Sequence, residues 1–332
     1  MISDFTFCIL AYNHSSYILE HLESIKYQVV KYGSGIQCKL IVSDDSSKDN
    51  TVKIVNDWLE ENSEVFDEVV TLFNPKNIGT CQSVKNIVAN LTTKHCKITA
   101  SDDVYTHQNI FNFVEHHSGY SLVSGLPVRL VDGKVQVSFF EVFNYIASDY
   151  IYRKEPLIER LSSLSIVNAP NLFYSMRYLK DDKIVDFLDD YDVVEDWPLQ
   201  VSIAGQDPLS NLDSTYTPLV FYRRTIQSTY LIDNGRFSQD QLKMFDYLID
   251  RYKRKGDGLK VLLLQNRKNL FSSKFKISKL IFNVSKYQYF CRVLLSLPMI
   301  VCQYRKVKVD LAEYQRFYDG IRNLVSGENI GG

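Results

Sequence analysis

Adjacent acids recur where this chain leaves its regular patterns, among them Asp44-Asp45 in a polar loop, then Asp102-Asp103 and Glu195-Asp196, the last two being pairs that could do chemistry. The second closes Lys97–Tyr105, K-I-T-A-S-D-D-V-Y, a short apolar run that ends abruptly in two carboxylates. Successive side chains of a strand point to opposite faces, so Asp102 and Asp103 can serve one site only on a loop beyond the strand's end. Hard oxygen ligands of this kind suit Mg²⁺ or Mn²⁺ held against a substrate diphosphate, with water filling the other positions. Helix capping is the competing account, because His107–His117 has a helical pattern and Asp is a good N-cap.

Glu195 and Asp196 directly precede an expected helix, Trp197–Ala204, with Pro198 acceptable in its first turn. A carboxylate there can take a proton from a hydroxyl held at hydrogen-bond distance. Favourable charge at a helix start explains the same two acids without any chemistry. Pro218–Arg224 reads as a strand delivering Arg223 and Arg224 to a loop, either to neutralise a departing diphosphate or as a solvated surface pair.

The elements that must position these acids repeat. Phe5–Ala11 is a continuous apolar run, as in a strand covered on both faces, and Ile18, Leu22, Ile25 and Val29 then form a helical stripe. Lys39–Ser43 is a strand, followed by a polar loop and a helix over Thr51–Leu59 with Val52, Val55 and Leu59 inward. Glu68–Phe73, a helix from Thr80 to Asn90, and Cys96–Ala100 complete the series. Strands separated by such helices imply right-handed crossovers and a mainly parallel α/β sheet, whose acidic loops converge on one edge. Beyond Gly119 the strands shorten: Leu122–Val131 and Lys134–Phe140 flank the turn dipeptide Asp132-Gly133.

Neither a G-x-G-x-x-G after the first strand nor a G-x-x-x-x-G-K-[ST] occurs, which argues against dinucleotide oxidoreductases and P-loop enzymes. Ala11–Ser16 is also not the Gly-rich, basic loop of a nucleotidyltransferase. A diphosphate bound here would need a metal.

With 332 residues, 45% of them hydrophobic and 13% aromatic, the chain can bury one large core or two modest ones. Its first residues enter a strand without a secretory signal, and Cys8, Cys38, Cys81, Cys96, Cys291 and Cys302 show no C-x-x-C spacing. Buried free thiols and a cytoplasmic location are expected. The formal net charge of −1 hides an asymmetry: residues 1–250 carry 21 Lys+Arg against 34 Asp+Glu, and residues 251–308 carry 15 against one acid, Asp257.

Taken in order, F-C-I-L-A-Y-N-H at 7–14, I-V-S-D-D-S-S-K-D-N-T at 41–51, N-I-G-T-C-Q-S-V-K-N at 77–86, S-D-D at 101–103, E-D-W at 195–197 and Y-R-R at 222–224 resemble the family-2 glycosyltransferases of the GT-A fold, especially bacterial polysaccharide enzymes. The resemblance spans roughly residues 5–230. It implies a GT-A catalytic domain over 1–230, with a nucleotide-binding half to about 118 and an acceptor half from 119, and a basic, amphipathic helical region over 231–332. It further implies that Ala11 and Tyr12 line the nucleotide base, with Asp45 bonding its edge and Asp44 supporting the loop. Asp102 would face the ribose or sugar, Asp103 would bind the Mn²⁺ or Mg²⁺ that bridges the diphosphate, and Lys85 would lie near the phosphates. Asp196 would be the general base of an inverting transfer, with Glu195 as its neighbour. The donor would be a nucleotide-sugar, UDP-sugar by family habit, and the acceptor a saccharide or lipid-linked oligosaccharide. A catalytically silent saccharide- or partner-binding module is the alternative, which the joint presence of Asp45, Asp103 and Asp196 argues against. A homo-oligomer is compatible with all of this. One departure stands out: the family often has His soon after the Y-R-R strand, where Thr225 follows here.

The basic stretch 251–308 interleaves Lys and Arg with apolar runs, the strongest being Tyr289–Cys302, which Arg292 and Pro298 interrupt. It is shorter than the roughly 18 apolar residues of a spanning helix, so it should not cross a bilayer. An interfacial anchor to an anionic membrane surface and a helical extension packed on the core both fit. Nucleic-acid binding does not, for want of a recognition motif and because the acidic half would repel it. Asn168–Asn171 is expected to line the sugar pocket, and the histidines outside these motifs, His116-His117 included, are assigned no role.

Overall fold

The structure, a computed structural model, describes residues 2–224, 235–275 and 281–327. Its first layer is a parallel sheet in the order β3-β2-β1-β4, formed by β1 (Asp4–Ala11), β2 (Gln37–Asp44), β3 (Glu68–Phe73) and β4 (Cys96–Ala100). The helices α1 (Ile18–Tyr32), α2 (Thr51–Asn62) and α3 (Thr80–Ala89) make the crossovers. These are the expected elements, with β2 and α2 a few residues longer.

Alternation along β1 explains why its run is apolar throughout. Phe5, Phe7, Ile9 and Ala11 enter one core with Ile18, Leu22 and Ile25 of α1, whereas Cys8 enters the other with Cys81 and Val84 of α3. Register then sets the site. Ala11 stands opposite Asp44 and Leu10 opposite Ala100, so β1, β2 and β4 end level and release their loops at one edge.

Helix α1 carries more than its apolar stripe. His21, Ser24 and Gln28 are also buried, and each bonds the chain that follows β4. His21 Nδ1 lies 2.8 Å from the Asp103 carbonyl, Ser24 Oγ accepts the Tyr105 N–H at 3.0 Å, and Gln28 Nε2 donates to the Thr106 carbonyl at 2.6 Å. Buried polar groups require such partners, and here they fix the acid loop from below.

Past the first layer, β5 (Val104–Tyr105), β6 (Leu122–Ser124), β7 (Val128–Val131), β8 (Lys134–Gln136), β9 (Leu172–Tyr174), β10 (Leu212–Ser214) and β11 (Val220–Arg223) form two small sheets, β10-β6-β9 and β5-β11-β7-β8. The β7–β8 turn has φ of 48° at Asp132 and 75° at Gly133, the left-handed pair a two-residue hairpin needs. Two expectations need adjusting. Leu122–Val131 splits into β6 and β7, and Phe139-Phe140 open a helix, Phe139–Tyr152, instead of closing a strand.

The basic region is helical and packed. Helix Arg236–Arg254 places Met244, Phe245, Leu248, Ile249 and Tyr252 in the core that holds Leu199, Val201 and Ile203 of helix Asp196–Gln206. Helix Val284–Tyr304 continues through Pro298 and seats Val293 and Ile300 against Tyr145, Ile146 and Tyr152. Helix Leu311–Ser326 covers the β5-β11-β7-β8 sheet with Tyr314 and Tyr318. Among the described residues no helix is long and apolar enough to cross a membrane. The cysteines are all free; Cys8, Cys38, Cys81 and Cys96 are buried, whereas Cys291 and Cys302 are exposed.

Candidate active site

Above the level strand ends lies a cavity of about 370 Å³, whose walls include Ala11, Tyr12, Asp45, Asp103, Glu195 and Asp196. Residues from four loops, far apart in sequence, therefore meet in one space. On one side Tyr12 is 43% exposed, enough to stack on a flat ligand. Asn13 (φ 54°) and Ser46 (φ 65°) turn the two loops toward each other. The Asn13 N–H donates to Ser47 Oγ at 2.8 Å and the Lys48 N–H to Asn13 Oδ1 at 2.7 Å.

Asp44 and Asp45 divide their work. Asp44 holds its own loop, accepting the Ser47 N–H at 2.8 Å and the Ser47 hydroxyl. Asp45 lines the cavity and organises Asn74–Gly79, accepting the Ile78 N–H at 2.7 Å on Oδ1 and the Gly79 N–H at 2.9 Å on Oδ2. Gly79 has φ of 87°, and a Cβ added there would sit 2.2 Å from Asp192 Oδ1. Only glycine lets the loop Asn74–Gly79 approach Asp192 this closely.

Asp102 and Asp103 follow β4 in a tight turn and do not cap the next helix. Asn109 does that, its side chain accepting the Phe111 and Asn112 N–H groups of helix Ile110–His116. Asp103 Oδ1 accepts the Arg223 N–H at 3.0 Å, and His14 Nδ1 lies 2.8 Å from Ser101 Oγ and 4.0 Å from Asp102 Oδ1. Burial raises the Asp102 carboxyl, and burial followed by the charge of Asp102 raises Asp103 well above the ordinary range. Two buried acids with so few donors are what a hard divalent cation would relieve. No group of three His, Cys, Asp or Glu able to hold an ion occurs among the described residues. The Asp102 and Asp103 carboxylates are by themselves the hard oxygen donors that an ion such as Mg²⁺ or Mn²⁺ would take.

Across the cavity, Glu195 is the N-cap residue of helix Asp196–Gln206 and Asp196 its first residue, with Asp196 Oδ1 accepting the Trp197 N–H at 2.7 Å. Burial, then the charge of Asp196, pushes the Glu195 carboxyl up to about 8, and burial also raises Asp196. Buried Lys97 opposes the shift at Glu195, and burial brings its own ammonium down to about 8. The loop before the pair is fixed by Asp240 Oδ2, which accepts the N–H groups of Asp192, Val193 and Val194 at 2.9, 2.8 and 3.1 Å. Arg236, one helical turn before Asp240, lines the cavity, pairs the Nε–Nη2 edge of its guanidinium with both carboxylate oxygens of Asp192 and donates from Nη1 to Asn77 Oδ1 at 3.2 Å.

Several residues singled out by sequence stand elsewhere. Lys85 donates to Asp186 at 2.9 Å and Asp189 at 2.6 Å, outside the cavity wall. The Arg223 side chain turns inward to Glu20 and the Asp102 carbonyl, and Tyr222 takes the lining position. Of Asn168–Asn171, Ala169 and Pro170 line the cavity, whereas Asn171 Oδ1 accepts the Leu219 and Val220 N–H groups at 2.7 and 2.8 Å. Thr225 lies outside the described residues. His14, Asp192, Arg236 and Asp240 are additions. The spacing of Arg236 and Asp240 on one helix face was their available signal, and nothing local marked their long-range partners.

A parallel sheet with acid loops at its carboxyl edge, faced by the acid pair Glu195-Asp196 on a helix start, defines a GT-A glycosyltransferase architecture. Residues 6–181 match the family described as glycosyl transferase family 2, more than half of the chain. The chain belongs to that family and is a glycosyltransferase. Among solved structures it is similar to S. aureus TarS 1-349 in complex with UDP-GlcNAc, at 14% identity over 99% of this chain and 93% of that one, with a TM-score of 0.55. The mannosyltransferase PcManGT from Pyrobaculum calidifontis, in complex with GDP-Man and Mn²⁺, is similar at 13% identity over 97% and 86%, with a TM-score of 0.51. These likenesses carry the fold. No curated protein matches the chain.

Proposed function

We propose that this glycosyltransferase moves a sugar from a nucleotide-sugar, UDP-sugar being favoured, to a saccharide or lipid-linked saccharide by metal-assisted direct displacement with inversion. The observation that carries the reading is the single cavity that joins Asp45 and Asp103 on one wall to Glu195 and Asp196 on the other. The nucleotide-sugar complexes of the two fold neighbours support a donor of that class.

In this mechanism Tyr12 and Ala11 hold the base, with Asp45 at its edge, and the diphosphate lies against Asp102 and Asp103. Asp103, with Asp102 beside it, would hold Mg²⁺ or Mn²⁺. When bound, the cation offsets the charge that grows on the leaving nucleoside diphosphate. Asp196 accepts the acceptor hydroxyl proton as that oxygen forms its bond to the anomeric carbon. The bond from that carbon to the diphosphate oxygen breaks, its electron pair leaving with the nucleotide. The raised Asp196 carboxyl is a better base than an exposed one would be. Glu195, held up to about 8, stays mostly protonated at neutral pH and adds little competing charge beside it.

An anionic membrane surface is the proposed location of the acceptor. Helix Val284–Tyr304 turns Phe290, Leu294, Leu295 and Met299 outward, within the stretch of 15 cations to one acid. Apolar side chains among cations are the composition of an interfacial helix. Screening UDP-sugars against saccharide and lipid-linked acceptors, with native protein and Asp196→Ala, tests the assignment. Transfer by the native protein alone supports it, and nucleotide binding without transfer to any acceptor would favour a silent binding module.

A further inference from the structure

Arg223 connects the acid loop to a helix far along the chain. Its backbone N–H donates to Asp103 Oδ1 at 3.0 Å and its Nε to the Asp102 carbonyl at 2.6 Å. Its Nη2 pairs with Glu20 Oε2, in the first turn of α1. The same Glu20 oxygen accepts the hydroxyl of Tyr318 at 2.9 Å, and Arg223 Nη1 lies 3.5 Å from that hydroxyl. The Tyr17 and Tyr318 rings flank the guanidinium at 4.9 and 5.9 Å. Arg223 and Tyr318 are buried, so the pair is shielded from water and strongly dependent on its geometry.

We propose that helix Leu311–Ser326 is a positioning element of the donor site, with Tyr318 acting through Glu20 and Arg223 to hold the Asp102-Asp103 loop for a metal-bound diphosphate. The proposal rests on the donor-site reading of that loop given above. Packing alone does not require this arrangement. Tyr314 and Tyr318 both fill the core under Phe221, and the Tyr314 ring packs on His107 with centroids 4.5 Å apart. Only the Tyr318 hydroxyl continues into a polar chain that ends on the backbone of Asp102 and the carboxylate of Asp103. Tyr318 is therefore a positioning residue, three hydrogen bonds away from the Asp103 carboxylate through Glu20 and Arg223.

The two tyrosines make a matched test. Hydrogen exchange is measured on the ligand-free full chain for native protein, Tyr318→Phe and Tyr314→Phe, and UDP binding is then measured calorimetrically with Mn²⁺ and with chelator. Tyr318→Phe should speed exchange at the Arg223 amide and across residues 102–105 by about three- to tenfold, and weaken metal-dependent UDP binding by a similar factor. Tyr314→Phe should leave both near native values. Equal effects of the two substitutions, or none from Tyr318→Phe, would overturn the proposal and leave the helix as packing. Should Tyr318→Phe not fold, Glu20→Gln interrupts the same link at nearly constant volume, with the same expected and contrary results. If native protein binds no UDP under any condition, the donor reading fails, and the exchange measurement still decides the link.

Discussion

Asp103 Oδ1 accepts the backbone N–H of Arg223 at 3.0 Å, so the central carboxylate of the site is held by a neighbouring strand's backbone. A backbone donor fixes direction without supplying a full charge, and Asp103 stays raised well above its usual range, by burial first and Asp102 second. Asp103→Asn keeps an oxygen for that N–H and removes the repulsion. Its thermal midpoint at neutral pH should equal or exceed the native one, although the proposed metal-dependent nucleotide binding should be lost. A clear fall in midpoint, read by calorimetric melting, would mean that the carboxylate is already well compensated by the protein.

Asp196→Asn should lower transfer by about a hundred- to ten-thousandfold, the range for loss of a general base. UDP affinity should stay within about twofold, because Asp196 lies on the acceptor side in this account. The native pH–rate profile should rise with pH through a base that titrates above the usual carboxylate range, since burial raises Asp196. Steady-state kinetics with varied donor and pH read both effects.

Glu195 makes the folded protein pH-sensitive in a direction that can be worked out. Its carboxyl goes from an ordinary 4.5 to about 8 on folding, so between those values the folded state binds the proton that the unfolded state has released. Stability must then fall as pH rises through that window. Glu195→Gln should flatten the fall and melt higher than native protein at pH about 8, with little difference near pH about 4.5. Melting across pH checks it, and an unchanged slope would refute it.

Gly79→Ala would place a methyl group 2.2 Å from Asp192 Oδ1 at a φ of 87°. The loop Asn74–Gly79 must shift, which loosens the grip of Asp45 on its N–H donors. About 1–3 kcal/mol of stability should be lost, together with nucleotide affinity, as urea melts and calorimetry would record.

The first four strands and their helices were legible because each is a local pattern, apolar continuity in strands and a 3.6-residue stripe in helices. The loop acids could be read for the same reason: each ends a visible run. What connects the acids was not legible. Gln28 to Thr106, Asp240 to Val193 and Tyr318 to Glu20 are polar contacts across long sequence separations, and no periodicity announces them. Arg223 shows the limit well, since its place at a strand end suits a phosphate ligand, whereas its guanidinium is buried against Glu20.

Membrane apposition predicts that native protein floats with vesicles rich in anionic lipid and not with neutral ones, and that added salt releases it. Replacing outward Leu294 and Leu295 by Asp should abolish flotation with the fold retained, because both are more than half exposed. Flotation unaffected by these changes would assign any membrane contact to another surface.

Calorimetric titration of UDP is the direct test of a donor site built on Asp103 and completed by a divalent cation. Native protein should bind UDP with Mn²⁺ or Mg²⁺, bind at least about tenfold more weakly with chelator, and lose the metal-dependent part in Asp103→Ala. Equal affinity with metal and chelator, or undiminished metal-dependent binding by Asp103→Ala, would contradict it.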